Sequence, residues 1–162
     1  ILQKESVEKK LAAKYKDVKN VFFIGRGLDY LVSQEGSLKL KEIAYLHSEA
    51  YAAGELKHGP IAMIDENTLV VAIATQEELI EKTISNIKEV KARGAKTMAI
   101  AMKGNTKIAD VADDVIYIPR TMGMLAPVLA NMPNQLFAYY MALNLGTDID
   151  KPRNLAKSVT VE

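Results

Sequence analysis

Apolar residues along this chain fall into two patterns. Four short runs are apolar at nearly every position: Val21-Phe22-Phe23-Ile24, Leu69 to Ala74, Thr97 to Met102 and Val115 to Ile118. Runs of this length, β-branched in part and apolar on both faces, predict buried parallel strands. Between them the spacing becomes helical. Leu2 to about Lys16 carries Val7, Leu11 and Tyr15 four apart. Glu78 to Arg93 sets Leu79, Ile80, Ile84, Ile87 and Val90 on one side, with Gly94 as a stop. Thr106 to Ala112 predicts a short helix and Ala126 to Leu145 a long one. Pro127 suits the first turn of the long helix and Gly146 follows its end, while Pro133 inside it predicts a kink or break. Helices and strands alternate, beginning and ending on a helix. That order predicts an α/β three-layer sandwich with a parallel sheet and right-handed crossovers. No repeat, linker or low-complexity segment interrupts it.

The stretch from Glu35 to Pro60 reads as a helix with charge in an unexpected place. On a wheel of about 100° per residue, Leu31, Leu38, Leu46 and Ile43 all fall within about 80° of Glu35. That is an apolar stripe of the width that faces a core. Glu35, Lys39 and Glu42 lie inside it, whereas Lys41 lies opposite. Burying three ionised groups is costly unless they pair or do chemistry. The pattern predicts a cleft with this helix as its wall.

Composition narrows the choices. The chain has 162 residues, 49% of them hydrophobic, enough for one domain with its own core. It begins at Ile1 and not Met, which predicts a piece of a longer polypeptide. There is no Cys, which excludes disulfides, a thiol nucleophile and thiolate metal sites, and fits a reducing, cytoplasmic compartment. The formal charge is +1, from 21 basic and 20 acidic residues, with no basic block. Nucleic acid and anionic membrane are poor partners for such a surface. The longest apolar run is far short of a membrane span, and no signal-peptide pattern opens the chain.

In an open parallel sheet, ligands bind outside the carboxyl ends of the strands. Gly25-Arg26-Gly27 forms the turn between the first strand and the charged helix. Tyr30 stands where a dinucleotide fingerprint needs its third glycine, and no Walker pattern occurs. A tight bend is the plainer reading of these glycines. Thr75-Gln76-Glu77-Glu78 follows the second strand. It suits a helix start but makes a poor phosphate cradle.

The chemistry-bearing candidates are Glu35, Lys39, Glu42, His58 and Lys157. Each has a plain alternative. Glu35 and Lys39 are spaced for a helix ion pair, and Glu42 can be a second partner for Lys39. His58 sits in a Gly-Pro turn, and Lys157 in a polar tail. Spacing alone carries the reading to a carboxylate–lysine site and no further.

Two long segments, KEIAYLHSEAYAAGELKHGPIAMID and DKPRNLAKSVTVE, resemble the isomerase region of the glucosamine-6-phosphate synthase family, and the likeness runs from Val21 to Glu162. The resemblance implies a sugar isomerase (SIS) domain over residues 1–162, the second of two in such proteins. Its fold would be a five-stranded parallel sheet flanked by helices, flavodoxin-like, with residues 147–162 as an extended arm. The implied reaction turns fructose 6-phosphate and ammonia from glutamine into glucosamine 6-phosphate. By the same resemblance Glu42 is the base that moves a proton between the first two sugar carbons. His58, reaching in from the other subunit of a homodimer, opens the sugar ring. Lys157 can form a Schiff base with the open-chain sugar. Lys39 stabilises developing negative charge, and Glu35 and Ala156 line the site. No cofactor or metal is implied. The implied partners are the sugar phosphate, the first SIS domain and the glutaminase domain.

Two family features have no counterpart here. The glutaminase cysteine is absent, and so is the Ser/Thr-rich loop that grips the sugar phosphate. The expectation is therefore half of an enzyme active site, inactive in isolation. A non-catalytic module that senses sugar phosphate, or a dimerisation domain, is the alternative. The base, the histidine and the tail lysine together favour the enzyme.

Overall fold

The four continuous apolar runs are strands of one sheet, and the sheet has a fifth member that the apolar pattern does not mark. The computed structural model describes residues 6–153. Along the chain come α1 (Val7–Lys14), β1 (Asn20–Gly25), α2 (Leu28–Lys39), β2 (His47–Ala52) and β3 (Thr68–Ala74), followed by α3 (Ile80–Lys91), β4 (Lys96–Met102), β5 (Asp114–Ile118) and α4 (Ala126–Leu145). All five strands are parallel, in the order β2-β1-β3-β4-β5. Val21 pairs with Leu69, Leu69 with Lys96, and Met98 with Asp114. This is the expected three-layer α/β sandwich.

Alternation along the strands feeds two cores. Val21, Phe23, Val71, Ile73, Met98 and Ile100 face a layer built from α1, α2 and α4, where Tyr15, Val32, Phe137 and Met141 pack. Phe22, Ile24, Val70, Ala72 and Ala99 face the opposite layer, where Ile84, Ile87 and Val90 of α3 pack with Leu56 and Ile61. Every residue of β3 is buried. A strand covered on both faces has no solvent side for polar residues, hence the unbroken apolar runs.

Three expectations from the pattern need correcting. The helix read from Glu35 to Pro60 ends early. It gives way to one π turn at Leu40–Ala44, then to Tyr45 in the left-handed region (φ 56°), and then to β2. As an edge strand β2 is mostly half-exposed and pairs only with β1, so its sequence, HSEAYA, has no need of an apolar run. Its one fully buried side chain, Ser48, is held by Ser37, whose carbonyl accepts from the Ser48 hydroxyl at 2.8 Å. The stretch from Thr106 to Ala112 is a set of turns and not a helix. It is too short to nucleate one, and it seats Ile108 in the core without one. Pro133 does not break α4, which runs as one helix from Ala126 to Leu145. Pro133 and its neighbour Asn134 are buried, and packing holds the helix through the lost backbone bond. Among the described residues no helix is long and apolar enough to cross a membrane.

Candidate functional site

The core face of α2 consists of Val32, Ser33, Gly36 and Ser37, continued by Leu40 and Ala44 of the π turn. Leu31 and Leu38 are 58% and 42% exposed. Leu31 and Leu38 therefore face away from the core, contrary to the wheel reading, while Ile43 and Leu46 pack against it. The cause is close approach. A Cβ on Gly36 would lie 2.7 Å from a ring carbon of Phe23 and 2.9 Å from the Asn134 side chain. At Gly36 the helix sits so near β1 and α4 that no side chain fits beneath it, and Leu31 and Leu38 occupy the open side.

Lys39 stands between two carboxylates on that open side. Its Nζ lies 2.6 Å from Glu42 Oε2 and 3.6 Å from Glu35 Oε1. The three side chains are 29%, 46% and 39% exposed for Lys39, Glu42 and Glu35, so the burial cost that the wheel implied does not arise within this chain. The hydrogen bond to Glu42 raises the Lys39 pKa. Partial burial opposes it, and the charges of Glu42 and Glu35 add to the rise. Lys39 is thus an ammonium throughout the neutral range. Glu35 also lines a groove of about 540 Å³ between α2 and α4, together with Leu31, Val128, Asn131 and Met132. Asn131 carries a buried Oδ1 with no hydrogen-bond partner. The open side of α2 thus offers two carboxylates and one ammonium, and Glu35 also faces the largely apolar groove. Such a set can bind a polar molecule and move a proton on it.

The strand order reverses between β1 and β3, where sheets of this kind open a ligand crevice. Here the protein fills that position itself. Asp29, 1% exposed, accepts from the Thr75 N–H at 2.8 Å, the Gln76 N–H at 3.2 Å and the Thr75 hydroxyl at 2.5 Å. These amides open the β3–α3 connection, where a phosphate would otherwise be cradled. Burial raises the Asp29 pKa, and the bonds from Thr75 and Gln76 offset only part of the rise. Gly25 permits this arrangement, because a Cβ there would lie 2.4 Å from the Asp29 backbone carbonyl. The tight-bend reading of the Gly25 turn is thus correct. Next to it, Lys103, Lys107 and Arg120 line a hollow of about 230 Å³. No basic cluster is visible in the sequence, because Arg120 lies beyond β5 from Lys103 and Lys107. Two are already paired, Lys107 with Glu81 and Arg120 with Glu77.

His58 ends a 3-10 turn, Ala53–His58, whose Ala53 and Leu56 pack on the α3 side of the sheet. The Lys39–Glu42 pair belongs to the opposite layer. Within one chain the structure does not gather His58 with the carboxylate–lysine cluster. The imidazole is 73% exposed, and its Nε2 is 3.8 Å from Glu55. Ala156 and Lys157 lie outside the described residues. The sequence reading missed Asp29, Asn131 and Tyr45. Asp29 looked like an ordinary acid in a first helical turn, and nothing in the linear order connects it to Thr75.

Residues 14–145 match the SIS domain family. The chain is 60% identical over 161 residues to a glutamine–fructose-6-phosphate aminotransferase (isomerizing) from Clostridium tetani, covering 99% of this chain and 26% of that protein. It superposes on the C-terminal domain of glucosamine-fructose-6-phosphate aminotransferase from Francisella tularensis with a TM-score of 0.83 at 41% identity. That match covers 89% of this chain and 41% of the other. A glucosamine-6-phosphate deaminase from Thermotoga maritima matches at TM-score 0.75 and 27% identity, over 95% of this chain and 45% of the other. The chain spans about a quarter of the length of the curated relatives it matches.

Proposed function

This chain belongs to the SIS domain family, and from that membership we propose that it forms part of the isomerase active site of an isomerizing glutamine–fructose-6-phosphate aminotransferase. The observation that carries the reading is Lys39 clamped between Glu35 and Glu42 on the open side of α2, with Glu35 also lining an open groove. Conversion of the fructose imine to glucosamine 6-phosphate takes a proton from the first carbon and returns it to the second. One carboxylate placed near both carbons serves for both steps, and Glu42 is that group. The Lys39 ammonium at 2.6 Å favours the ionised carboxylate and the negative charge that develops on the sugar. His58 is exposed and on the opposite layer from Glu42, an arrangement that suits delivery to the site of a second subunit. Lys157 supplies the amine that condenses with the open-chain ketone.

The sugar phosphate is held elsewhere in this reading, because Asp29 already takes the amides that would grip it. Leu31 and Val128 are exposed at the groove, and Leu38 and Leu125 are exposed on the same two segments of chain. An apolar rim of this kind suits the preceding SIS domain of a longer polypeptide, which would bring the phosphate loop. A cytoplasmic homodimer is part of the same reading. The test is Glu42→Gln in the full-length protein. Isomerisation should fall by at least ~10²-fold, with glutamine hydrolysis and melting temperature nearly unchanged. Retention of more than about a tenth of the synthesis rate would rule out a general base at this position.

A further inference from the structure

Tyr45 is the only non-glycine residue with positive φ among the described residues, at φ 56° and ψ 24°. A side chain in that region is uncommon and persists where surrounding contacts hold it. Here the contacts come from the far end of the chain. The Arg153 N–H donates to the Tyr45 hydroxyl at 2.8 Å, and the Arg153 guanidinium lies over the Tyr45 ring at 4.3 Å. The segment between α4 and Arg153 is fastened to the same turn. Thr147 Oγ1 donates to the Ile43 carbonyl at 2.6 Å, and Ile149 packs on the core beside Ile43 and Leu46. Asp148 Oδ1 accepts from the N–H groups of Asp150 and Lys151 at 3.0 and 2.9 Å, which bends the chain toward Tyr45.

Tyr45 follows Glu42 by three residues, just past the end of the π turn. We propose that Tyr45 is a positioning residue. It docks residues 147–153 onto the turn that carries Glu42, and so holds that turn in place. This rests on the aminotransferase reading above for its catalytic consequence, though not for the docking itself. The left-handed backbone at Tyr45 ends the π turn and leaves the ring against Arg153.

The experiment uses Tyr45→Gly and Tyr45→Phe in the full-length aminotransferase carrying this chain. Glycine suits the left-handed φ, so folding should survive and the melting temperature should hold. Two readouts are taken: amide exchange over residues 150–154, and kcat and KM for sugar isomerisation beside glutamine hydrolysis. For Tyr45→Gly, exchange should quicken by about tenfold or more. Isomerisation kcat should fall by about tenfold or more, because a small misplacement of a reacting group is costly. Glutamine hydrolysis should not change. Tyr45→Phe keeps the ring contact and loses the hydroxyl bond, so it should fall between. Unchanged exchange in Tyr45→Gly would overturn the docking. Faster exchange with unchanged kcat would overturn the positioning role. A wild-type protein that does not isomerise sugar phosphate would overturn the aminotransferase reading and the catalytic half of this inference, while exchange would still decide the docking.

Discussion

Asp29 shows how much can hang on one side chain. It is nearly inaccessible and satisfies two buried amides and a hydroxyl in the β3–α3 connection. Removing it leaves two buried N–H groups unpaired, each at roughly 1–3 kcal/mol. Asp29→Ala should therefore lower unfolding stability by about 2–5 kcal/mol in denaturant titration. Asp29→Asn should cost under about 2 kcal/mol, because an amide oxygen can accept both N–H bonds while its nitrogen donates to the Thr75 hydroxyl. Equal losses for the two variants would show that side-chain volume, and not the bonds, holds the loop. In the sequence Asp29 is indistinguishable from any acid near a helix start, because its partner is 46 residues away. Glu35, Lys39 and Glu42 are legible as a cluster because their spacing places them together on one helix.

At the scale of the element, α2 was legible as a helix, but its orientation was not. Hydrophobicity ranked Leu31 and Leu38 as the core face, and the fold buried Ser33, Gly36 and Ser37 instead. Distance of approach decides this, and no wheel contains it. Gly36→Ala measures the effect. At an exposed helical site that change gains roughly 1 kcal/mol. Here the added methyl meets Phe23 at 2.7 Å, and Phe23 is itself fully packed. The expected outcome is a loss of about 1–3 kcal/mol in chemical unfolding. A gain would mean that α2 can lift off β1 at little cost. The edge strand β2 was missed for a related reason. Strand formation at an edge is driven by backbone pairing to β1 and leaves little trace in hydrophobicity.

At the scale of the whole molecule, two buried layers about a five-stranded sheet make a core large enough to fold without staples. Among the described residues there is no open phosphate cradle at the switch point. Asp29 closes the amides at the switch point, and two of the three cations beside it are already paired. The isolated 162-residue chain should therefore fold but bind fructose 6-phosphate only on the order of millimolar, with no steady conversion to glucose 6-phosphate. Calorimetric titration beside a coupled assay checks both. Micromolar affinity or turnover would show that this half-site is self-sufficient.

What the sequence determined by itself was whatever depends on local order. The four buried strands follow from runs with no polar face, α3 and α4 from their periodicity and terminal glycines, and the Glu35–Lys39–Glu42 cluster from helical spacing. These features are set by residues a few positions apart, so linear spacing carries them. Only the tertiary structure decided which side of α2 meets the sheet, that His58 falls on the layer opposite Glu42, that Asp29 closes the switch point, and that Arg153 returns to Tyr45. Each of these joins positions far apart in the chain or turns on how closely two backbones approach. Packing sets both, and packing is a property of the folded whole.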